Sequence, residues 1–536
     1  MTGKTSFLFI VTDQQRGDHL GCAGNPLLRT PHLDAVAAAG WRFRRFHAAS
    51  PVCMPNRASI MTGRMPSLHG VRDNGTPLST QTTTFVELLR AAGWSTALIG
   101  KSHLQNYLGA PPLHPRAVPA GLVPPPSGLM EAVHHVRTGP AYDMETTQRW
   151  RDEPDHDVTT PFYGFDFTRI CTRHADAVQG HYARWLLAQM PDGEALRDPR
   201  RAIPDPRYVA PQARRTRLPE SLYPTSYIAG ETIAWLERHA ARESGEPFFL
   251  QCSFTDPHHP FTPPGRYWDM YDPADVVLPL SFHAVHDQIP LLGMIHDELR
   301  HGSPDRSFQR PYAVNEREAR ESIALTYGML SMIDDCVGRI LSRLADLGLA
   351  KDTVVVFTSD HGDWMGDHGL MLKGPIHYGG LVRVPFLWRD PAAPTTGAVS
   401  DAIASSIDIA STVLTRAGLA PYTGLQGCDL GLAMRGLDLG RDAVMIEQET
   451  NAAYLGCDPG VPDPLLVRTM ISQRWRLSLW RSFAWGELYD LQDDPHELRN
   501  LWNAPEAAAL KARLMEQMAR TLVDLQDRSP DPTGLA

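Results

Sequence analysis

The sequence has few cysteines, and their spacing does not pair them. Seven cysteines are scattered over 536 residues, and no two of them form a C-x-x-C motif. This odd, dispersed set argues against a disulfide framework, so we expect reduced thiols and a cytoplasmic protein. The seven are Cys22, Cys53, Cys171, Cys252, Cys336, Cys428 and Cys457.

Long hydrophobic runs and an excess of positive charge are also missing. No apolar stretch approaches the roughly 20 residues of a membrane-spanning helix, so we expect no membrane partner. The short apolar run at residues 6–12 lacks a cleavage site and leads directly into Asp13, which favours a buried strand over a signal peptide. A formal net charge of −10 argues against nonspecific binding to nucleic acid.

What the sequence does contain is typical of a globular α/β protein. Hydrophobic residues make up 43% and charged residues 21% of the chain. Apolar strand patterns alternate with helical ones, which predicts a mostly parallel central sheet with helices on both faces. The predicted strands are 7–12, 41–47, 95–100, 247–254, 353–359 and 384–388, and the predicted helices are 31–39, 84–92, 225–242, 316–347 and 400–417.

Proline-rich and polar stretches interrupt this alternation twice. We interpret residues near 105–222 and 262–312 as insertions in a catalytic domain that spans residues 1–420. A helix is expected within the first insertion, over residues 176–190. Whether the insertions are lids, pocket walls, oligomer contacts or passive surface excursions stays open. Residues 421–536 alternate short strands and end in a helix, which predicts a small C-terminal α+β subdomain.

The most distinctive stretch is residues 47–64, which contains C-x-P-x-R at Cys53, Pro55 and Arg57 and then T-G-R. Proline disfavours helix in the residue before it, and Asn56 is a good N-cap. We therefore expect Cys53 in an extended segment that leads into a short helix ended by Gly63. A helix N-terminus with Arg57 in its first turn is suited to receive an anion.

Polar, titratable residues follow four of the predicted strands at the point where each strand ends. Ligands of open α/β sheets bind outside the carboxyl ends of the strands, so we expect these residues to meet beside Cys53. A single histidine or aspartate at a strand end is more often a cap or turn residue, but four such ends favour a shared site. The residues are Asp13, Gln14, Lys101, His103, His258, Asp360 and His361.

Asp13 and Asp360 are the expected ligands of one divalent cation, with Gln14 and His361 completing a mixed oxygen and nitrogen set. Carboxylate and amide oxygens suit Ca²⁺ or Mg²⁺, while an imidazole shifts the preference toward Mn²⁺ or Zn²⁺. The D-W-M-G-D-H-G segment at residues 363–369 is expected to be a neighbouring loop, with residues 367–368 in a solvated turn.

Together these motifs resemble those of the sulfatase branch of the alkaline phosphatase superfamily. The resemblance covers nearly the whole chain apart from the two insertions. It rests on CMPNR with TGR at 53–64, GKSHL at 100–104, PHHPF at 257–261, TSDHGD at 358–363, Lys373 before RVP at 383–385, and ELYDLQDDPHELRNL at 487–501.

The resemblance implies that Cys53 is converted to formylglycine by a formylglycine-generating enzyme, and that the hydrated aldehyde attacks a small-molecule sulfate ester, with an aryl ester as the conservative choice. It implies one divalent cation, with Ca²⁺ or Mn²⁺ favoured and Mg²⁺ or Zn²⁺ as alternatives. The implied roles are hydrate stabilisation by Arg57, sulfate binding by Lys101 and Lys373, base catalysis by His103 and acid catalysis by His258. Asn74 is either a further, neutral donor to the anion or a turn residue. Oligomeric state, including a homo-oligomer, stays open.

Three alternatives remain. Gln14 and His361 stand where many sulfatases have Asp and Asn, and they look more like the pair in phosphonate monoester hydrolases, so hydrolysis of phosphonate monoesters or phosphodiesters is one alternative. Lys101 and His103 favour sulfate instead. A catalytically silent sulfatase-like binding protein would not be expected to keep the whole set of catalytic groups. A thiol enzyme that uses unmodified Cys53 lacks the expected local histidine pattern.

Overall fold

A computed structural model describes residues 5–109, 121–123, 126, 137–242, 245–284, 289–302, 306, 310–450, 464–481 and 483–527. It confirms the predicted α/β fold, with a large central sheet between helices and a separate small sheet near the C-terminus. Cys457 and part of the first predicted insertion lie outside the described residues.

The central sheet has nine described strands, and its inner strands are parallel. Ser6–Thr12 lies between Phe248–Ser253 and Thr353–Ser359, with Leu8 opposite Leu250 and Val355. These strands are fully buried, which is why they read as continuous apolar runs rather than alternating ones. The strand order is Ala398–Ser400, Trp41–Phe43, Phe386–Arg389, Thr353–Ser359, Ser6–Thr12, Phe248–Ser253, Ser95–Gly100, Phe167–Thr172 and Gln179–Gly180.

Helices cover both faces of this sheet because alternate residues of each strand point to opposite sides. Leu8 and Ile10 pack into one hydrophobic cluster, while Phe7 and Phe9 pack into the other. Helices of the first cluster are Pro31–Ala38, His181–Gln189, Pro224–Ala240 and Glu316–Asp346, and those of the second are Cys53–Thr62, Phe85–Ala91 and Asp408–Arg416.

Two of the helices begin where their sequences indicate. Thr84 and Asn315 each form a capping box with a glutamate three residues later, which satisfies backbone N–H groups at the helix start. The remaining α-helices are Pro66–His69, Thr147–Asp152, Gly193–Leu196, Pro290–Arg300, Gly379–Val382, Gly431–Met434 and Ala508–Asp524. None of the helices in the described ranges is long and apolar enough to cross a membrane.

The predicted insertions contain more regular structure than expected. The first contributes Phe167–Thr172, a strand that pairs parallel to Ser95–Gly100 in the central sheet. Its predicted helix is shorter, at His181–Gln189, and the second insertion contains the helix Pro290–Arg300. The helix predicted over 400–417 is limited to Asp408–Arg416, since two short strands precede it.

The C-terminal part forms a four-stranded antiparallel sheet with the helix Ala508–Asp524 packed against it. Its strands are Ala443–Thr450, Leu465–Ser472, Trp475–Trp480 and Gly486–Asp490. Two-stranded pairs join Tyr312–Ala313 to Leu370–Met371 and Phe46–His47 to Ala404–Ser405. The six described cysteines are free.

Candidate active site

The carboxyl ends of the inner strands bring the predicted site residues together. Asp13 and Asp360 follow adjacent parallel strands directly, and Cys53 and His361 lie beside them. One ligating atom from each of these four side chains lies within 4.8 Å of the others, and all four side chains are buried. The arrangement matches a site at the strand ends of an α/β sheet.

Cys53 is the first residue of the helix Cys53–Thr62, so the prediction of an extended Cys53 with an N-cap at Asn56 is wrong. Pro55 lies in the first turn, where its missing N–H is not needed for helical hydrogen bonds. The extended residue before the helix is Val52. Asn56 instead cross-links two loops, because its Oδ1 accepts from the Ala49 N–H at 2.9 Å and also from the hydroxyl of Ser406.

The Cys53 sulfur lies among cationic and nitrogen-bearing groups. Its Sγ is 3.2 Å from Lys373 Nζ and 3.1 Å from His361 Nε2. Asn74, predicted as an anion donor, accepts from the Met54 N–H through Oδ1 at 3.1 Å and so holds the first turn of the helix. A group formed at Cys53 therefore lies at the positive N-terminal end of the helix Cys53–Thr62 and next to the Lys373 amine.

Arg57 joins three parts of the site. Its Nε donates to Asp360 Oδ2 at 2.7 Å, and its Nη1 donates to the Lys101 carbonyl at 2.9 Å and to Ser253 Oγ at 3.0 Å. Burial would raise the pKa of Asp360, but Arg57, His361 and Lys101 together outweigh it and hold that pKa well below its usual range. Asp360 is therefore ionised at neutral pH.

Asp13 and His361 complete a donor set that fits a divalent cation. Asp13 and Asp360 face each other in a buried site. Burial and the charge of Asp360 therefore raise the pKa of Asp13 to about 7. Burial lowers the pKa of His361 to about 4, which keeps the imidazole neutral. Its Nδ1 donates to the Gly362 carbonyl at 2.8 Å, so Nε2 carries the lone pair that could bind a metal ion.

Gln14 stands in the site with a left-handed backbone, at φ 67°. Its Oε1 accepts from Lys373 Nζ at 3.0 Å, while its Nε2 donates to Asp363 Oδ2 at 2.6 Å and to His259 Nδ1 at 3.1 Å. Its ligand role stays a prediction. Residues 367–368 are buried rather than solvated as predicted, because the Asp367 carboxylate accepts from Arg16 and from a backbone N–H.

Lys373 and His258 form a hydrogen-bonded pair beside Cys53. His258 Nδ1 donates to the His259 carbonyl at 2.7 Å, so its Nε2 accepts from Lys373 Nζ at 3.1 Å. Burial lowers the pKa of His258 well below its ordinary value, and the neighbouring cations lower it further. The pair therefore consists of a charged ammonium and a neutral imidazole.

His174 is a site residue that the sequence analysis missed. Its Nε2 is 3.1 Å from Lys101 Nζ and 3.4 Å from Asp13 Oδ2, and its ring stacks on His258 at 3.6 Å. Lys101 itself donates to Asp13 Oδ2 at 2.5 Å. The residue lay inside a predicted insertion. The signal that would have indicated another strand end was a short segment with Phe167, Ile170 and Cys171, followed by this histidine.

His103 is held in place by a backbone hydrogen bond and by ring stacking. Its backbone, at φ 57°, donates through N–H to Glu145 Oε1 at 2.9 Å, and its ring stacks on Tyr107 at 3.8 Å. Glu145 is buried, which raises its pKa to about 7. Burial and the charge of Lys101 hold the pKa of His103 well below its ordinary value, so the imidazole is neutral.

Comparisons with known proteins indicate the family to which the chain belongs. Residues 5–111 and 182–419 match the family model described as Sulfatase, and residues 366–524 match one described as N-sulphoglucosamine sulphohydrolase, C-terminal. An arylsulfatase of Clostridium perfringens is 28% identical over 94% of this chain and 91% of its own length. A choline-sulfatase of Rhizobium meliloti is 26% identical over 96% and 85%.

A phosphonate monoester hydrolase of Agrobacterium radiobacter has the same fold. Its crystal structure matches with a TM-score of 0.75 and 24% identity, covering 98% of this chain and 97% of that one. Because the family model covers more than half of the sequence, the chain belongs to the sulfatase family of the alkaline phosphatase superfamily. It is an enzyme of the sulfuric ester hydrolase class.

Proposed function

We propose that the protein hydrolyses sulfate monoesters of aryl type through a formylglycine formed from Cys53. The observation that supports this most directly is the placement of Cys53 Sγ beside Lys373 Nζ and the Asp13–Asp360 carboxylates at one buried site. The C-x-P-x-R sequence at Cys53 is the segment that a formylglycine-generating enzyme would read during maturation.

The first chemical step uses one hydroxyl of the hydrated aldehyde at residue 53. As its proton passes to the Asp13 carboxylate, whose Oδ1 lies 3.9 Å from Cys53 Sγ, its oxygen bonds to sulfur. The bond between sulfur and the ester oxygen breaks, which releases the alcohol half. The leaving oxygen needs a proton, and the Lys373 ammonium supplies it, while His258 Nε2 accepts from that ammonium at 3.1 Å and positions it. Lys101 and Lys373 stabilise the charge that develops on the sulfuryl oxygens.

The second step regenerates the aldehyde. His103 takes the proton of the remaining hydroxyl, the bond between carbon and the sulfate oxygen breaks, and sulfate departs as C=O forms. Within the described residues, His103 Nδ1 is buried and has no hydrogen-bond partner, so a neutral imidazole nitrogen is available to accept this proton. Water then restores the hydrate.

Asp13, Asp360, His361 and Gln14 would hold one divalent cation, for which we propose Ca²⁺ or Mn²⁺. When bound, such a cation acts as a Lewis acid toward a sulfuryl oxygen. Arg57 keeps Asp360 ionised and oriented for this purpose, through the 2.7 Å bond to its carboxylate.

A phosphonate monoester or phosphodiester is the second candidate substrate, since Gln14 and His361 both lie in the site. Lys101 and His103, which flank the same pocket, favour sulfate. For location, the free thiols of the six described cysteines support a cytoplasmic enzyme, and fractionation of the source cells would check this.

The test combines peptide mass spectrometry with a substrate panel. We expect the residue 53 peptide of active enzyme to carry formylglycine, and 4-nitrophenyl sulfate to be turned over with a higher kcat/KM than the matching phosphonate monoester and phosphodiester. Cys53→Ala serves as the unmodifiable variant. Full activity with an unmodified thiol would contradict the proposed nucleophile, and a wide preference for phosphonate would favour the second candidate.

A further inference from the structure

The loop that carries Lys373 is fastened to the C-terminal sheet. This segment, residues 373–380, is called the lysine loop below. It follows the short strand Leu370–Met371 and ends in the first turn of the helix Gly379–Val382. At its first end, the backbone of Leu372 is held by the catalytic domain, because its N–H donates to Asp363 Oδ1 at 2.9 Å.

A tryptophan of the C-terminal sheet holds the middle of the lysine loop. Trp480 lies on the strand Trp475–Trp480 and is buried. Its indole Nε1 donates to the Pro375 carbonyl at 3.1 Å. This carbonyl lies only two residues after Lys373, so the bond holds the backbone in place close to the Lys373 amine.

A buried histidine provides the second attachment. His377 Nε2 donates to Gln448 Oε1 at 2.9 Å, and its Nδ1 accepts from Thr469 Oγ1 at 2.8 Å. The two partners lie on the neighbouring strands Ala443–Thr450 and Leu465–Ser472. Burial lowers the pKa of His377 to about 3, so the neutral ring keeps this donor and acceptor pattern at neutral pH.

A buried ion-pair network provides the third attachment. Glu497 Oε2 accepts from the Gly379 N–H at 2.7 Å, while its Oε1 pairs with Arg476. Arg476 also donates to both oxygens of Glu487, at 3.0 and 3.1 Å, and its guanidinium lies over the Tyr378 ring at 5.2 Å. Glu487 and Glu497 belong to the C-terminal motif at residues 487–501.

We propose that the C-terminal sheet positions Lys373, with Trp480, His377 and Glu497 as positioning residues of the active site. The inference rests on the proposed role of Lys373 in binding the transferred group. Lys373 Nζ lies within 3.4 Å of Gln14, Cys53, His258 and His361 at once, a geometry that a small shift of the loop would break. It also gives a role to Glu497 of the C-terminal motif, which holds the Gly379 N–H.

A double-mutant cycle tests the proposal. Trp480→Phe removes the indole N–H but keeps an aromatic side chain, and we expect about a tenfold fall in kcat with little change in KM, since a misplacement of about 1 Å costs up to roughly a hundredfold. In a Lys373→Gln background the same change should have almost no further effect, because the positioned amine is gone. Trp502→Phe is the matched control, since its indole donates to Ala484 and not to the lysine loop.

Two outcomes would overturn the proposal. One is a Trp480→Phe variant that is as active as Trp502→Phe, and the other is an equal loss of kcat with and without Lys373. If Trp480→Phe does not fold, Gln448→Met is carried through the same cycle, because it removes the acceptor of His377. The cycle is measured on whichever ester the enzyme turns over best. An enzyme inactive on sulfate esters would therefore refute the proposed function without deciding the positioning role.

Discussion

Replacing Lys101 by methionine removes one charge from the centre of the site while nearly keeping the side-chain shape. Lys101 Nζ is fully buried, donates to Asp13 Oδ2 at 2.5 Å and lies 3.1 Å from His174 Nε2. The substitution therefore has two separable effects: loss of a cation for the sulfuryl oxygens, and an unpaired buried carboxylate at Asp13.

Each effect has its own magnitude and readout. Removing one preorganised donor from a developing anion costs about 10²–10³ in kcat, or about 2.7–4 kcal/mol. Breaking a buried ion pair by removing one partner costs about 3–5 kcal/mol of stability, which lowers the melting temperature. We expect the loss of kcat/KM to be larger for 4-nitrophenyl sulfate than for the phosphonate monoester, because sulfuryl transfer leaves more charge on peripheral oxygens.

The assay compares both esters on the Lys101→Met variant, wild type and Lys351→Met, whose lysine is exposed and precedes the strand Thr353–Ser359, at the end opposite to Asp360. Thermal unfolding is recorded for all three. A Lys101→Met enzyme that retains most of its sulfate turnover, or loses both activities equally, would refute the assignment of Lys101 as the cation that selects sulfate.

Three further predictions follow from the same geometry. Asp13→Asn and Asp360→Asn should each lower metal content, measured by mass spectrometry of the purified protein, together with activity; normal stoichiometry in both would rule out the ligand assignment. His174→Phe keeps a ring but loses the acceptor for Lys101, so kcat/KM should fall about 10–100-fold, as for a hydrogen bond to a charged group; unchanged kinetics would contradict this. Burial raises the pKa of Glu145 to about 7 from a reference of 4.5, so ionisation opposes folding. Relative to Glu145→Gln, the wild-type melting temperature should fall as pH rises from about 4.5 to about 7 and then level off, whereas a pH-independent difference would show that this carboxyl does not titrate there.

Elements whose local signals agree with their tertiary environment were predictable from sequence. The strands 95–100 and 353–359 were predicted with the residues the structure shows, because both have a buried, largely apolar centre and clear ends. The helix Glu316–Asp346 was predicted within one residue at its end, since it is amphipathic and has a capping box.

The failures occurred where long-range contacts decide the conformation. The helix begins at Cys53 instead of after Asn56, because the Asn56 side chain bonds to Ala49 and to two residues far away in sequence, Ser406 and Asp360. Strand 167–172 was missed because its surroundings are rich in proline, and His174 was missed with it. Pairings such as Lys373 with Gln14 depend on the register of the sheet, which a single sequence does not reveal.

The burial of the two site lysines has a practical consequence for chemical modification. The chain has only five lysines, at positions 4, 101, 351, 373 and 511. Lys101 and Lys373 are buried and engaged with acidic or imidazole partners, while Lys351 is exposed and Lys511 is half-buried. Among the lysines that the structure describes, Lys351, which lies shortly after the helix Glu316–Asp346, should therefore react first with amine-reactive dyes or supports. The folded enzyme can be labelled or immobilised there with its catalytic amines intact.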